Sequence, residues 1–123
     1  MSILLDSTIL IDDFRNRPEA EKFLEGLDAK PSISVVSVLE LFHGAISAKE
    51  EARIELVIAD AKLLPVTEPI ARLAGQFTKH YAAAHGFDEL DAIIAATAEH
   101  HRLKLATLNV KHFPMFARLK RAY

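Results

Sequence analysis

Cysteine is absent from the 123 residues, which excludes thiol nucleophiles, zinc ribbons, iron–sulfur clusters and disulfide frameworks together. Any metal must then be held by oxygen or imidazole. Glycine occurs only four times, little material for loops that cradle phosphates. No Walker A loop, Gly-x-Gly-x-x-Gly, Gly-x-Ser-x-Gly or His-Glu-x-x-His sequence is present. No apolar run approaches the roughly 18 residues needed to span a bilayer. The opening Met-Ser-Ile-Leu-Leu-Asp has no basic stretch and meets an acid at Asp6, unlike a secretory signal. The expectation is a soluble cytoplasmic protein made of one domain over residues 1–123.

Excess charge of one sign is also missing: 15 Lys and Arg stand against 17 Asp and Glu, a formal net charge of -2. Binders of phosphate backbones are usually basic. The average hides an asymmetry, however. Residues 1–61 carry 6 basic and 12 acidic side chains, and residues 62–123 carry 9 and 5. From His101 to Tyr123 there are six Lys or Arg and no acidic side chain.

What is present is an alternation of short aliphatic runs with helical stretches. Strands are predicted at Ile3–Leu5, Ile33–Val36, Leu63–Val66 and Leu103–Thr107, with Ala117–Leu119 as a short edge strand. Helices are predicted at Ser7–Asp13, from Pro18 onward, from a cap at Ser37, over Lys49–Ala61, from Pro69 to Gly86, and over Asp88–His101. Such alternation indicates an α/β fold with a parallel sheet between helical layers. Sites in these folds lie beyond the carboxyl ends of the strands.

Four polar residues fall there: Asp6 after the first strand, Glu40 and Asp91 in the first turns of two helices, and Asn109 after the last strand. Clustered carboxylates are unfavourable unless a cation neutralises them, and oxygen ligands without Cys favour Mg2+ or Mn2+ over zinc. Each has a structural alternative. Ser37-Val-Leu-Glu40 reads as a capping box, Asp91 as a helix-dipole acid behind a cap at Asp88, and Asn109 as a turn residue. Asp6 directly follows three aliphatic residues, so it must face a cleft or find a partner. Glu40-Leu-Phe-His43 resembles half of a di-iron site, but no second copy exists, so His43 reads as a helix-surface or half-buried residue. Thr8 stands where a haloacid-dehalogenase-like phosphatase needs a second Asp. His100 and His101 are helix neighbours that do not face the same way.

Four blocks together resemble the PIN-domain family, and within it the VapC-type toxins of toxin–antitoxin pairs. They are Leu4-Leu-Asp6-Ser-Thr-Ile-Leu-Ile-Asp12, Ser34-Val-Val-Ser-Val-Leu-Glu40-Leu-Phe-His-Gly44, Leu90-Asp91-Ala-Ile-Ile-Ala-Ala-Thr-Ala98 and Leu105-Ala-Thr-Leu-Asn109-Val-Lys-His112-Phe113. The third is the most specific.

The resemblance implies a three-layer PIN-like sandwich, its mostly parallel sheet of four to five short strands flanked by helices. It implies an endoribonuclease dependent on Mg2+ or Mn2+, with Asp6, Glu40 and Asp91 as metal ligands and Asn109 as a neutral fourth catalytic residue. Relatives with Asn there often carry Asp three residues later, where this chain has His112. His112 is accordingly assigned either to that ligand position or to a substrate phosphate. Ser7, Thr8 and Thr107 are placed behind the ligands or against the substrate, and Arg102, Lys104 and Lys111 are candidates to hold RNA. The implied partners are an RNA substrate, a VapB-like antitoxin and a second copy in a homodimer. The apolar stripe of the Ile70–Tyr81 helix, or the helices between Leu39 and Ala61, would supply those interfaces. The competing expectation is a PIN-like scaffold that binds RNA or protein without cleaving it.

Overall fold

The aliphatic runs assemble into one parallel sheet covered on both faces by helices, in a computed structural model that describes residues 2–83 and 87–123. Strands β1 (Ile3–Leu5), β2 (Ser32–Ser34), β3 (Lys62–Leu64) and β4 (Lys104–Ala106) lie in the order β3-β2-β1-β4, each pair parallel. From β1 the chain steps outward to β2 and β3, then returns to place β4 on the other flank. The strand order therefore reverses between β1 and β4, the point at which open α/β sheets form a crevice.

Successive residues of a strand face opposite sides, and this separates the core into layers. Leu5, Ile33 and Ala106 meet Ile9, Leu10 and Phe14 of α1 (Ser7–Phe14), Leu41 of α3 (Val35–Gly44) and Ile54 of α4 (Ala48–Asp60). Phe23 and Leu24 of α2 (Pro18–Glu25) close that cluster. On the other face Leu4, Leu64 and Leu105 meet Ile94, Ala95 and Ala98 of α6 (Glu89–His100). Helix α5 (Glu68–Tyr81) packs outside α6, with Ile70 and Ala74 against Ala92 and Ala96. These small α6 side chains permit close approach of the two helices.

Several boundaries differ from the sequence reading. Strand β2 ends at Ser34, and Val35 and Val36 open α3. Ser34, not Ser37, caps that helix, its Oγ accepting the Val36 N–H at 3.2 Å. Ser37 is therefore interior to the helix and fully buried, which removes the Ser37–Glu40 capping box. Glu40 lies in the second turn of α3 rather than the first.

The sheet has four strands among the described residues. The segment Ala117–Leu119 is not a strand, because Phe113, Phe116 and Leu119 recur every third residue and pack under the sheet. Two successive turns, Phe116 N–H to Phe113 O and Leu119 N–H to Phe116 O, set that spacing. The Ile70–Tyr81 stripe is occupied by α6 within the chain, at Ile70, Ala74 and Phe77. The predicted end of that helix at Gly86 lies outside the described residues.

Candidate active site

Asp6 is fixed by two elements at once, ending β1 and capping α1, and is only 4% exposed. Its Oδ1 accepts the Ser7 N–H at 3.0 Å, while Oδ2 accepts the hydroxyls of Thr107 at 2.7 Å and Thr8 at 3.1 Å. Thr107, fully buried beyond β4, accepts the Asn109 N–H at 3.0 Å, and the Thr8 hydroxyl accepts the Leu108 N–H at 3.2 Å. One carboxylate thus ties the ends of β1 and β4 together across the crevice.

Glu40 reaches the same place from α3, where its Oε1 accepts the Ser7 hydroxyl at 3.2 Å. Asp91 arrives from the first turn of α6 in a true capping box. Asp88 Oδ1 accepts the Asp91 N–H at 2.8 Å, and Asp91 Oδ2 accepts the Asp88 N–H at 3.1 Å. His112, in a 3-10 turn over Val110–His112, brings Nδ1 to 3.4 Å from Asp91 Oδ2.

All three carboxyl groups titrate above their ordinary values. Burial pushes Asp6 up, against hydrogen bonds from Thr107, Thr8 and Ser7 and the positive influence of His112. Glu40 is raised by burial and then by the charges of Asp6 and Asp88. Asp91 is pushed up to about 8, by burial first and by the charge of Asp88 next, with Asp6 contributing. Acids whose ionisation burial disfavours, with the Asp6 charge raising Glu40 and Asp91 further, fit a hard divalent cation that would offset that charge. Among the described residues no three His, Asp or Glu side chains stand ready-made around one point. Asp91 is turned into its cap and toward His112 instead.

The remaining predicted residues divide clearly. Ser7 donates its hydroxyl to Glu40, and Thr8 and Thr107 donate theirs to Asp6. His112 joins the site through Asp91. Asn109 is exposed and contributes its backbone N–H to Thr107. Lys111 is exposed beside His112 at the carboxylate end of the sheet. Arg102 and Lys104 are exposed at the amino end of β4, so the fold does not bring them to the carboxylates. The sequence marks Asp88 only as a cap, yet its charge acts on both Glu40 and Asp91. Its position three residues before Asp91 was the available signal, since both acids then share one helix end.

Fold and site define a class: a three-layer α/β protein with buried and half-buried acids at the switch point of a parallel sheet. The PIN domain family matches residues 3–120, and the chain belongs to that family. It is 43% identical over 121 residues to Ribonuclease VapC10 of Mycobacterium tuberculosis, covering 96% of this chain and 90% of that protein. It is 36% identical over 123 residues to Ribonuclease VapC19 of the same organism, covering 98% of each. A solved toxin–antitoxin complex from Klebsiella pneumoniae contains a chain that is 32% identical, with a TM-score of 0.85 over 99% of this chain and 98% of that one.

Proposed function

We propose that the protein is a ribonuclease of the VapC kind, the toxin of a toxin–antitoxin pair, hydrolysing RNA phosphodiesters with the help of Mg2+ or Mn2+. The observation that carries this reading is the meeting of Asp6 and Glu40 on Ser7, with Asp91 near enough for the Asp6 charge to act on it, beside the ends of β1 and β4. The names of the relatives support the activity and the partner. Asp6, Glu40 and Asp91 would hold the cation; when bound, such an ion lowers the pKa of a coordinated water and offsets charge developing on the phosphodiester.

The chain's own groups prepare this chemistry. Thr107, Thr8 and Ser7 fix the orientation of Asp6. Ser7 spans Asp6 and Glu40, because its backbone N–H serves one and its hydroxyl the other. His112 Nδ1 lies 3.4 Å from Asp91 Oδ2, where an imidazole N–H would meet a phosphate oxygen. Lys111 adds a cation at that end. Attack of water in line with the leaving 3'-oxygen gives a 3'-hydroxyl and a 5'-phosphate, with no covalent enzyme intermediate. Asn109 is assigned to substrate contact, since it borders the site without touching the acids.

Replacing Asp6 or Asp91 with Asn is expected to reduce metal-dependent RNA cleavage by at least 100-fold while preserving the fold by circular dichroism. Unchanged cleavage in both variants would remove the mechanism, whereas no cleavage by the unaltered chain with either cation would favour the non-cleaving scaffold. For assembly, Leu39, Ile46 and Leu56 are large apolar side chains left 58%, 80% and 71% exposed on and between α3 and α4. We assign this face to a homodimer contact. Leu56→Glu should yield monomers in sedimentation analysis, whereas an unaltered mass would move the contact elsewhere.

A further inference from the structure

Away from the carboxylates, a groove of about 710 Å3 runs along the outer edge of the sheet between β4 and the tail. Strand β4 pairs only with β1 among the described residues. Lys104 N–H donates to Ser2 O, and Ala106 O accepts the Asp6 N–H, so residues 104 and 106 turn their backbone groups toward β1. By the alternation of a strand, Leu105 turns its N–H and C=O the opposite way, into the groove. The tail forms the far wall. Just past the strand, Ala122 N–H donates to Thr107 O at 3.0 Å, and among the described residues the tail makes no backbone hydrogen bond to Leu105. Tyr123 secures the end by donating its hydroxyl to Asp12 at 2.8 Å and packing its ring on Phe23.

The lining combines two chemistries. Ile3, Phe23, Leu103, Leu105, Phe116 and Leu119 make an apolar floor, and Lys104, Arg118, Lys120 and Arg121 make a cationic rim without a lining carboxylate. All four cations are exposed. An edge strand with unpaired backbone groups is a template for another strand.

We propose that this groove docks an extended, acidic segment of a partner protein, which adds to β4 as a strand and sets alternate side chains into the apolar floor. Charge complementarity selects this occupant. A second copy presenting the same edge would bring two sets of the four cations face to face. RNA would match the rim but leave the backbone groups of Leu105 and the aliphatic floor unmatched. The inference concerns a surface separate from Asp6, Glu40 and Asp91, so it stands or falls independently of the proposed hydrolysis.

The test uses the full chain, a fluorescein-labelled heptapeptide of alternating Val and Glu, its Val–Lys counterpart, and a ten-nucleotide oligouridylate. Saturable binding of the Val–Glu peptide is expected, with amide NMR shifts centred on Leu103–Ala106 and no binding of the Val–Lys peptide. The double variant Arg118→Glu with Lys120→Glu should weaken binding at least tenfold while RNA cleavage is retained. The NMR footprint on the unaltered chain keeps the test valid if that variant misfolds. Three results would overturn the proposal. One is no peptide binding at millimolar concentration; another is oligouridylate producing the Leu103–Ala106 shifts in place of the peptide. The third is a cross-strand NOE between Leu105 and residues 119–121 in the free protein, which would mean the tail itself closes the edge.

Discussion

Thr107 is a hydroxyl on which two tasks converge: it donates to the buried Asp6 carboxylate at 2.7 Å and accepts the Asn109 N–H at 3.0 Å. Thr107→Val keeps the shape and deletes both bonds. Asp6 should then titrate still higher, and Mn2+ affinity measured by calorimetry should fall by about tenfold, in the range seen when groups behind a ligand are removed. Thr107→Ser should restore most of it; equal affinity in all three proteins would show that the hydroxyl does not tune the acid.

Asp91 makes a prediction about pH. Its carboxyl titrates near 8 in the fold against 3.8 ordinarily, so between those values the native chain holds a proton that the unfolded chain has released. The stability it contributes is present at low pH and lost as pH rises toward 8. Asp6 and Glu40, also raised, act in the same direction. His101, lowered by burial and by neighbouring His100 and Lys62, acts in the opposite sense, but its exposure screens it. The metal-free protein should therefore melt at a higher temperature at pH 6 than at pH 8.5, and Asp91→Asn should reduce the difference. A difference of the opposite sign would mean these acids are ionised at little cost.

Among the elements, helix ends carry the clearest tests. Arg102 sits just past α6 with φ 54°, a left-handed conformation. Leu103 N–H returns to Ala98 O at 2.8 Å and Arg102 N–H to Glu99 O at 3.2 Å, the pair of bonds of a Schellman ending. Only glycine adopts that conformation freely, so Arg102→Gly should stabilise the protein by ~0.5–1 kcal/mol in urea denaturation. No gain would place the left-handed residue elsewhere. Arg53 of α4 does the complementary work at the end of α1, donating to the Phe14 and Asp13 carbonyls at 2.8 and 3.1 Å while lying over the Phe14 ring. Arg53→Ala should cost ~1–2 kcal/mol, and a loss below 0.3 kcal/mol by the same measurement would mean solvent replaces those bonds.

Elements with strong local signals were legible before the fold was. Pro18, Pro69 and Asp88 mark helix starts that the structure keeps within a residue, and Ile3–Leu5 is β1. The misreadings cluster where local signals conflict. In Ser34-Val-Val-Ser37 the β-branched pair favours strand, and either serine can cap a helix. Burial of β2 on both faces ends the strand early and gives the cap to Ser34. In the tail, the spacing of Phe113, Phe116 and Leu119 was the signal against a strand. Asp6 and Asp91 were legible because a buried acid after a strand, or at a helix start, needs a reason. Glu40 was obscured by the false capping box, and the meeting of His112 with Asp91 by their separation along the chain.

For the whole molecule, cation binding and stability should be coupled. If Asp6, Glu40 and Asp91 hold Mn2+, the ion raises the melting temperature by binding the native state, and more at pH 8 than at pH 6 because protons compete with it at lower pH. Chelation with EDTA should reverse the shift. A pH-independent shift, or none at millimolar metal, would separate these acids from metal binding.

The central strand is formed by some of the first residues of the chain, and its neighbour β4 by residues about one hundred positions later. Asp6 acquires its Thr107 partner only when that distant segment has docked, a long-range closure of the kind that slows folding. During synthesis, the first half of the chain can assemble β1, β2 and the helices between them, with Asp6 still lacking its partners on β4 and Asp91 not yet made. The setting of these acids is therefore completed late, by the same event that completes the sheet. A ribosome-tethered fragment ending before Lys104 should lack metal-dependent cleavage, so the timing of biosynthesis itself keeps the unfinished chain inert.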